Sequence, residues 1–388
     1  ASYDKAGQFG LKASNLSVER AASSEAIVNS EKVLKWVGEL EQEAEVSARL
    51  ELYSILTSAH MQKSGWAAEE VAEYTEKGIE LLRNSERYDD LIPHLWWKVL
   101  GGVVGGENDD LIPVSQEMAS YLPHLNALSK SAVRCAQAFL VTALGRENVW
   151  QESIDHCKEA IEFYHEAGEE LTNGHENIFG FSVPVFAGAL MAMGANTLGD
   201  LGAAQKYSEQ MLADARACKS AASLGIALMY AAEIDISLND RQSTIDYTTE
   251  LVTLSKEFDL PVYQAYGQMQ LDWAHQVLDH EDSTRQVLLD DNSMFSLAHY
   301  QSHYAEAYAQ QGDYEKALAK VEDSIAIDEG IKHHYYLARM YFLKGKYLNQ
   351  LGRVEEASEA LDKSMTIAQL QGSGLYIREI EAFMKSIQ

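Results

Sequence analysis

A turn pattern that recurs about every forty residues most constrains the fold of this chain. The segment 304–317 recurs as the segment 344–357, which places Gly312 and Gly352 forty residues apart. Earlier turns of the same kind are expected at Asp279, Asn239, Gly199, Gly145, Gly106 and Gly65. Gly and Asn tolerate the left-handed conformation that ends a helix, so each unit is predicted to be a helix, a tight turn and a second helix. About nine antiparallel helical hairpins would fill the chain.

The repeats predict one continuous all-α domain rather than several separate domains. Only 5 of the 388 residues are Pro, and no linker rich in Pro, Gly or Ser interrupts the chain. Units that pack only on their neighbours escape the size limit of a single globular core. We predict a right-handed superhelical solenoid over residues 1–388, with degenerate repeats over about 1–180, clearer repeats over 181–292 and 296–371, and a capping helix over 374–388.

Charge and cysteine content restrict the partners and the compartment. The chain has 59 acidic and 31 basic side chains, a net charge of −28. A nucleic-acid surface must neutralise phosphates, so we expect no direct contact with nucleic acid, and an anionic membrane is disfavoured for the same reason. The long uncharged stretch 179–199 contains Pro184 and Asn196, which favours a buried helix over a membrane span. The 3 cysteines are odd in number and far apart, as in a reducing cytoplasm.

Motifs that would indicate an enzyme are absent from the sequence. It has no phosphate-binding loop, no dinucleotide-binding glycine motif, no His-Glu-x-x-His and no Gly-x-Ser-x-Gly. We therefore expect no catalytic residue and no cofactor. His299 and His303 are four residues apart and share one helix face, where they could hold a metal. No third His or Cys lies near them in the chain, so we expect a polar groove lining without a metal.

The repeats and a set of short motifs along the chain resemble two known families. The repeats resemble tetratricopeptide (TPR) repeats of the longer kind, of about 40 residues, most strongly in the last 90 residues. Over nearly the whole chain, the ordered motifs are Ala6-Gly7-Gln8, Gly65-Trp66-Ala67-Ala68-Glu69-Glu70-Val71, Leu95-Trp96-Trp97, Gly174-His175-Glu176 and the two C-terminal repeats. In this order they resemble the C-terminal sensor region of bacterial signal-transduction ATPases of the STAND type. That resemblance implies an upstream ATPase and an output module, such as a nucleotide cyclase or a DNA-binding domain.

The repeat register also predicts which residues line the concave surface. The first helix of each pair usually faces inward, and positions about ten, six and three residues before a turn share one helix face. The residues of this concave stripe, expected to bind a ligand or partner, are Trp96, His175, Phe186, Met193, Asn196, Met229, Glu233, Tyr266, Met269, Trp273, His299, Glu306, Arg339, Phe342 and Lys346. Met and aromatic residues would make such a surface adaptable. The alternative is a coil wound tightly enough to bury the stripe as core.

Two functions compete at this point. The first is a non-catalytic cytoplasmic sensor that binds a small effector or a peptide and biases an attached ATPase between two states. Such a ligand must prefer one arrangement of the repeats, because equal affinity for both shifts nothing. The second is a scaffold that binds a partner helix or extended peptide and no small molecule. An enclosed cavity lined by Met and aromatic residues would favour the first, and an open groove would favour a peptide.

Overall fold

The described part of the chain is helical throughout. The computed structural model describes residues 10–14, 16–17, 22–37, 42–145 and 147–387, and within these ranges there is no strand. The helices are α1 Ser23–Val37, α2 Gln42–Ser64, α3 Glu69–Leu82, α4 Tyr88–Gly105, α5 Asn108–Ser120, α6 Ala127–Leu144, α7 Val149–Thr172, α8 His175–Phe179, α9 Val183–Leu198, α10 Leu201–Cys218, α11 Ala221–Ser237, α12 Arg241–Glu257, α13 Pro261–His275, α14 Glu281–Asp290, α15 Met294–Gln310, α16 Tyr314–Gly330, α17 Leu337–Gln350, α18 Val354–Gln371 and α19 Gly374–Ser386. The predicted all-α class is confirmed, and the motif at residues 6–8 lies outside the described ranges.

Successive helices pack as hairpins around left-handed turn residues. Eight hairpins lie in the described ranges: α2/α3, α4/α5, α6/α7, α9/α10, α11/α12, α13/α14, α15/α16 and α17/α18. Predicted turn residues with positive φ are Gly65, Gly106, Gly145, Gly199, Asn239, Gly312 and Gly352. A second set joins one hairpin to the next and consists of Lys219, Asp259, Asn292, Lys332 and Gly372. The seven predicted turns are therefore confirmed.

The eighth predicted turn, at Asp279, is wrong. Helix α13 ends at His275, and the left-handed residue that follows it is Gln276, with a φ of +61°. Gln276 occupies a position where Gly or Asn was expected, so the sequence pattern pointed to the wrong residue. The error of three residues matters for the concave stripe, because three residues fall about 60° short of a full helical turn and so rotate the expected inner face of α13 by that angle.

Helices that are far apart in sequence contact each other across successive turns of the superhelix. Helix α13 packs on α2, α15 on α4, and α19 on α9. The indole N–H of Trp66 donates to the Tyr263 hydroxyl at 3.3 Å, across 197 residues. The indole N–H of Trp150 donates to Ser373 Oγ at 3.2 Å, across 223 residues. The superhelix is therefore wound so tightly that its turns touch.

Aromatic side chains fill the axis of this tight superhelix. Trp66 stacks on Phe181 with ring centroids 4.9 Å apart, and Phe186 packs edge-on against Phe139 at 5.2 Å. Helix α9, which carries Phe186, is buried at all but two of its positions, as predicted for this uncharged stretch. None of the described helices is long and apolar enough to cross a membrane.

A matched pair of glycine substitutions tests the contacts between turns of the superhelix. At Gly106 an added Cβ would lie 2.6 Å from Ile331 Cγ2, whereas at Gly312 it would meet no described atom within 4 Å. Both glycines have positive φ, so either Ala substitution costs about 1–2 kcal/mol of backbone strain. Gly106→Ala should destabilise the protein by about 1–3 kcal/mol more than Gly312→Ala, because it also overpacks the inter-turn contact. Urea unfolding of both variants measures the difference, and equal losses would mean that the turns do not touch at Gly106.

Candidate functional site

The concave stripe is buried over most of its length, because the aromatic residues leave little open space on the axis. Of the fifteen predicted residues, only Met229, Glu306 and Lys346 remain partly exposed. The other twelve are buried, as the alternative of a tightly wound coil implies, although three of them, Trp273, Arg339 and Phe342, still line an open space. What remains of the inner surface is a small cavity near the middle of the array and a larger groove towards its C-terminal end.

The small cavity has a volume of about 50 Å³ and mostly apolar walls. Four residues of the predicted stripe contribute to these walls: Met229, Glu233, Tyr266 and His299. Aromatic residues outside the stripe complete them: Trp66, Phe139, Tyr230, Tyr263, Phe295, Tyr300, Tyr335 and Tyr336. One water needs about 10–15 Å³, so this space holds a few waters and no larger ligand.

The larger groove has a volume of about 730 Å³, within the range of about 300–1,000 Å³ that is usual for ligand sites. Helices α11, α13, α15, α17 and α19 form its walls. Five residues of the predicted stripe line it: Trp273, Glu306, Arg339, Phe342 and Lys346. We call this space the C-terminal groove.

A hydrogen-bonded chain of three predicted residues forms one wall of the C-terminal groove. Arg339 Nη2 donates to Glu306 Oε1 at 2.9 Å, and the Trp273 indole N–H donates to Glu306 Oε2 at 2.6 Å. Arg339 Nη1 also donates to Ser302 Oγ at 2.6 Å. Burial opposes the ionisation of Glu306, but Arg339 and Trp273 keep the pKa of its carboxyl below the usual range. The side chains of this wall therefore hold one another in place, and the charges of Arg339 and Glu306 are paired.

Two other charged groups in the C-terminal groove are not paired in this way. Lys346 lies over the ring of Phe342, with Nζ 5.3 Å from the centroid, and forms no salt bridge with any described residue. Glu379 on α19 also has no salt bridge among the described residues. Burial raises the pKa of Glu379, an effect that Arg339 and Lys346 partly oppose. The groove thus offers one ammonium and one carboxyl group to a ligand.

The wall supplied by α19 was missed at the sequence level. Tyr376, Glu379 and Phe383 line the C-terminal groove, although this helix was predicted only as a cap. Tyr376 and Phe383 are seven residues apart and so share a helix face. That spacing of two aromatic residues could have indicated from the sequence that one face of α19 lines the groove. Tyr314 and Tyr347 also line the groove, and counting back from the turn residues did not select them.

The predicted residues that line neither space pack inside the array. Trp96 and Phe186 belong to the aromatic core, where the Trp96 indole N–H donates to the Phe179 carbonyl at 3.3 Å. Met193 is buried within α9, and the Asn196 amide on the same helix donates to Ser237 Oγ at 2.6 Å. These four side chains support the groove walls or the core and do not face a ligand space.

Met269 is the residue displaced by the misplaced turn. It lines a minor crevice whose other walls include Leu288 of α14 and Tyr300 of α15. Gln270 takes the inward place instead, and its amide donates to the Met229 carbonyl at 3.0 Å. Counting back from the true turn at Gln276 would have selected Gln270 rather than Met269.

His175 is a buried structural residue at the start of a short helix. Its Nδ1 lies 2.7 Å from the Thr172 carbonyl oxygen, and its ring packs edge-on against Tyr164 at 5.1 Å. Burial lowers the pKa of His175, although Glu176 and the Thr172 carbonyl oppose the shift. The ring is remote from the linings of both the cavity and the C-terminal groove.

A compact polar cluster lies on the cavity wall and combines two helices. Glu233 on α11 faces His299 and His303 on α15, with Oε1 2.8 Å from His299 Nε2 and Oε2 3.1 Å from His303 Nε2. All three side chains are buried. Burial opposes the charge on Glu233, but the two imidazoles hold the pKa of its carboxyl well below the usual range. Burial lowers the pKa of His299 to about 4, so that ring is neutral at pH 7.

Comparison with known proteins places the chain among helical-repeat folds. The tetratricopeptide repeat family matches residues 296–369, which span α15 to most of α18. No curated protein matches the chain. The match covers about a fifth of the sequence and lies where the repeats are clearest.

Solved structures extend the likeness to nearly the whole chain. A Rap protein complexed with Competence and Sporulation Factor has a TM-score of 0.65 and 12% identity, covering 94% of this chain and 98% of that one. The human IFIT1 dimer with m7Gppp-AAAA has a TM-score of 0.51 and 14% identity, covering 98% of this chain and 81% of that one. A STAND protein with a tetratricopeptide repeat sensor from Pyrococcus horikoshii has a TM-score of 0.41 and 12% identity, covering 93% and 54%. The chain has a TPR-like helical solenoid fold.

Proposed function

We propose that this chain is a non-catalytic, cytoplasmic sensor module that binds a short peptide segment in the C-terminal groove. The observation that carries the proposal is the groove itself, which is about 730 Å³, open and lined by both aromatic and charged side chains. The small cavity is too small for an effector, so the enclosed site expected for a small molecule has no counterpart of sufficient size. An open groove suits an extended peptide, whose many side chains need separate pockets.

The charges in the groove support a peptide as the ligand. Arg339 is already paired with Glu306, whereas Lys346 and Glu379 have no ion-pair partner among the described residues. A peptide carries both a carboxylate and an amide or ammonium group, so it can meet both free charges at once. Tyr347, Tyr376 and Phe383 supply apolar surface between them. Aromatic anchors of this kind carry much of the energy of protein interfaces.

By its resemblance to STAND regulators, the module passes occupancy to an attached ATPase and output domain. Helix α19 packs on both α9 and α17, so a ligand between α17 and α19 touches a contact between turns of the superhelix. A peptide that prefers one spacing of these helices would bias the array between two arrangements. ATP hydrolysis by this chain alone would contradict the proposal that it is non-catalytic.

The net charge of −28 supports a partner other than nucleic acid. The likeness to IFIT1 concerns the fold only. The charged groups of the C-terminal groove without an ion-pair partner among the described residues are one lysine, Lys346, and one acid, Glu379. An RNA oligonucleotide therefore serves as a comparison arm in the binding test. If the oligonucleotide binds, and a substitution in the groove weakens its binding as it does that of the peptide, the partner is a nucleic acid and the peptide proposal is overturned.

Two neighbouring lysines on α17 provide the test. Lys346 lines the C-terminal groove, whereas Lys344 pairs with Glu322 at 2.8 Å outside it. A library of labelled hexapeptides is screened against the chain by fluorescence polarisation, and the selected peptides are then measured on Lys346→Ala and Lys344→Ala. Loss of a charge-assisted hydrogen bond should weaken binding about tenfold in Lys346→Ala, with no change in Lys344→Ala. Absence of binders, or equal affinity of both variants, would overturn the proposal.

A further inference from the structure

We propose that Glu233, His299 and His303 form a binding site for a divalent transition-metal ion, with zinc as its best-suited occupant. The sequence predicts no metal here, because His299 and His303 have no third ligand nearby in the chain. The fold supplies that ligand from α11, which brings a carboxylate between the two imidazoles. The proposal does not depend on the ligand of the C-terminal groove.

The donor set and its spacing fit zinc. Two His and one Glu are a common three-ligand set for zinc sites that keep an open position. Donors about 2.0 Å from a tetrahedral ion lie roughly 3.3 Å from each other. The Glu233 oxygens lie 2.8 and 3.1 Å from the two Nε2 atoms, and the candidate ligand atoms all lie within 4.8 Å of one another. The two oxygen-to-nitrogen distances therefore need to lengthen by only a few tenths of an ångström to admit an ion between Glu233 and the imidazoles.

Two of the three ligands, Glu233 and His299, are held in place by their neighbours. The Gln270 amide donates to Glu233 Oε2 at 3.3 Å. The ring of Tyr336 stacks on His299, with centroids 3.5 Å apart and an interplanar angle of 13°. These contacts orient the carboxylate and one imidazole before any ion arrives, which reduces the cost of assembling the site.

The cavity provides the remaining coordination position. Both Glu233 and His299 belong to the wall of the 50 Å³ cavity, which has room for water beside the cluster. A water there completes a tetrahedral arrangement of two nitrogens and two oxygens. Metal binding also needs a proton shift in each ring: Nε2 must offer its lone pair, so its proton moves to Nδ1.

That proton shift limits the affinity. The Nδ1 atoms of His299 and His303 are buried and have no hydrogen-bond partner in the described residues. In established metal sites this nitrogen usually donates to a carbonyl or carboxylate, and loss of such a partner typically costs about 10–100-fold in affinity. With both imidazoles lacking such a partner, we expect zinc to bind about 100–10,000-fold more weakly than to a site in which both are supported.

Equilibrium dialysis of the chelator-stripped chain against zinc chloride tests the site. We expect one zinc ion per chain by elemental analysis and a higher melting temperature in zinc but not in magnesium, since magnesium prefers oxygen ligands. His303→Gln should lose the bound zinc. His280→Gln is the matched control, because His280 pairs with Asp272, away from the Glu233 cluster, and its side chain is 42% exposed. Equal zinc content in the two variants would overturn the proposal and leave the cluster as an ion-paired network only.

Cobalt provides a test on the unaltered chain, in case His303→Gln does not fold. Cobalt(II) bound by two imidazoles and two oxygens in tetrahedral geometry absorbs visible light far more strongly than the hydrated octahedral ion. We expect this band to saturate at one cobalt per chain and to disappear when zinc is added. Absence of a saturable band in the unaltered chain would overturn the assignment.

Discussion

Phe186→Ala should lower the free energy of unfolding by about 3–5 kcal/mol, the usual cost of removing a fully buried Phe. Phe186 is 0% exposed. Its ring contacts five other aromatic rings, those of Trp66, Trp96, Phe139, Phe181 and Tyr230. Each favourable aromatic pair adds about 0.5–1.5 kcal/mol beyond burial, so we expect the upper part of the range.

The measurement is urea unfolding followed by circular dichroism. Val354→Ala is the control, because Val354 is 59% exposed and its loss should change stability by less than about 0.5 kcal/mol. The rings around Phe186 come from hairpins separated by more than a hundred residues, so unfolding should remain one cooperative transition in the wild type. A loss below about 1 kcal/mol for Phe186→Ala would contradict an axis filled by these rings.

Arg339→Met should destabilise the protein by about 3 kcal/mol, because it breaks the ion pair that forms one wall of the C-terminal groove. The substitution leaves the Glu306 carboxylate with Trp273 as its remaining hydrogen-bond partner and leaves Ser302 Oγ without the guanidinium. Breaking a buried ion pair costs about 3–5 kcal/mol. We expect the lower end, because the Glu306 side chain keeps 22% of its surface exposed.

A double-mutant cycle separates the pair from the packing of the Arg339 side chain. Replacing both partners by apolar residues of similar size removes the unpaired charge, so Arg339→Met combined with Glu306→Met should recover most of the lost stability. The coupling is obtained from urea midpoints of both single variants and the double variant. Additive losses would show that Arg339 and Glu306 act independently.

The structure also changes the interpretation of a Trp273 substitution. The concave stripe implies that Trp273→Ala would weaken ligand binding while leaving the helices intact. Trp273 is in fact only 3% exposed, and it holds Glu306 through its indole N–H. Truncating a buried Trp costs about 3–5 kcal/mol, so this variant would report on stability as well as on binding. Lys346 is the better probe, because it faces the groove without supporting the core.

Local turn chemistry explains which parts of the fold could be predicted. A Gly or Asn at a hairpin turn is required by backbone geometry, so Gly199, Asn239, Gly312 and Gly352 could be recognised without any tertiary information. Gln276 carries no such signal, since a left-handed Gln is held there by its surroundings and not by its own preference. The register of α13 was therefore lost at the one turn inside a described hairpin that has neither Gly nor Asn.

Helix periodicity and turn residues act over a few positions, so the helical hairpins, their period and some of the inward-facing residues follow from the sequence alone. Only the tertiary structure decided how tightly the superhelix is wound, since that depends on contacts such as Trp66 with Tyr263 across 197 residues. The tight winding buried most of the concave stripe and left the C-terminal groove, of about 730 Å³, as a space large enough for a ligand. It also brought Glu233 next to His299 and His303, which lie 66 and 70 residues further along the chain. No local sequence pattern can indicate a contact over such a separation.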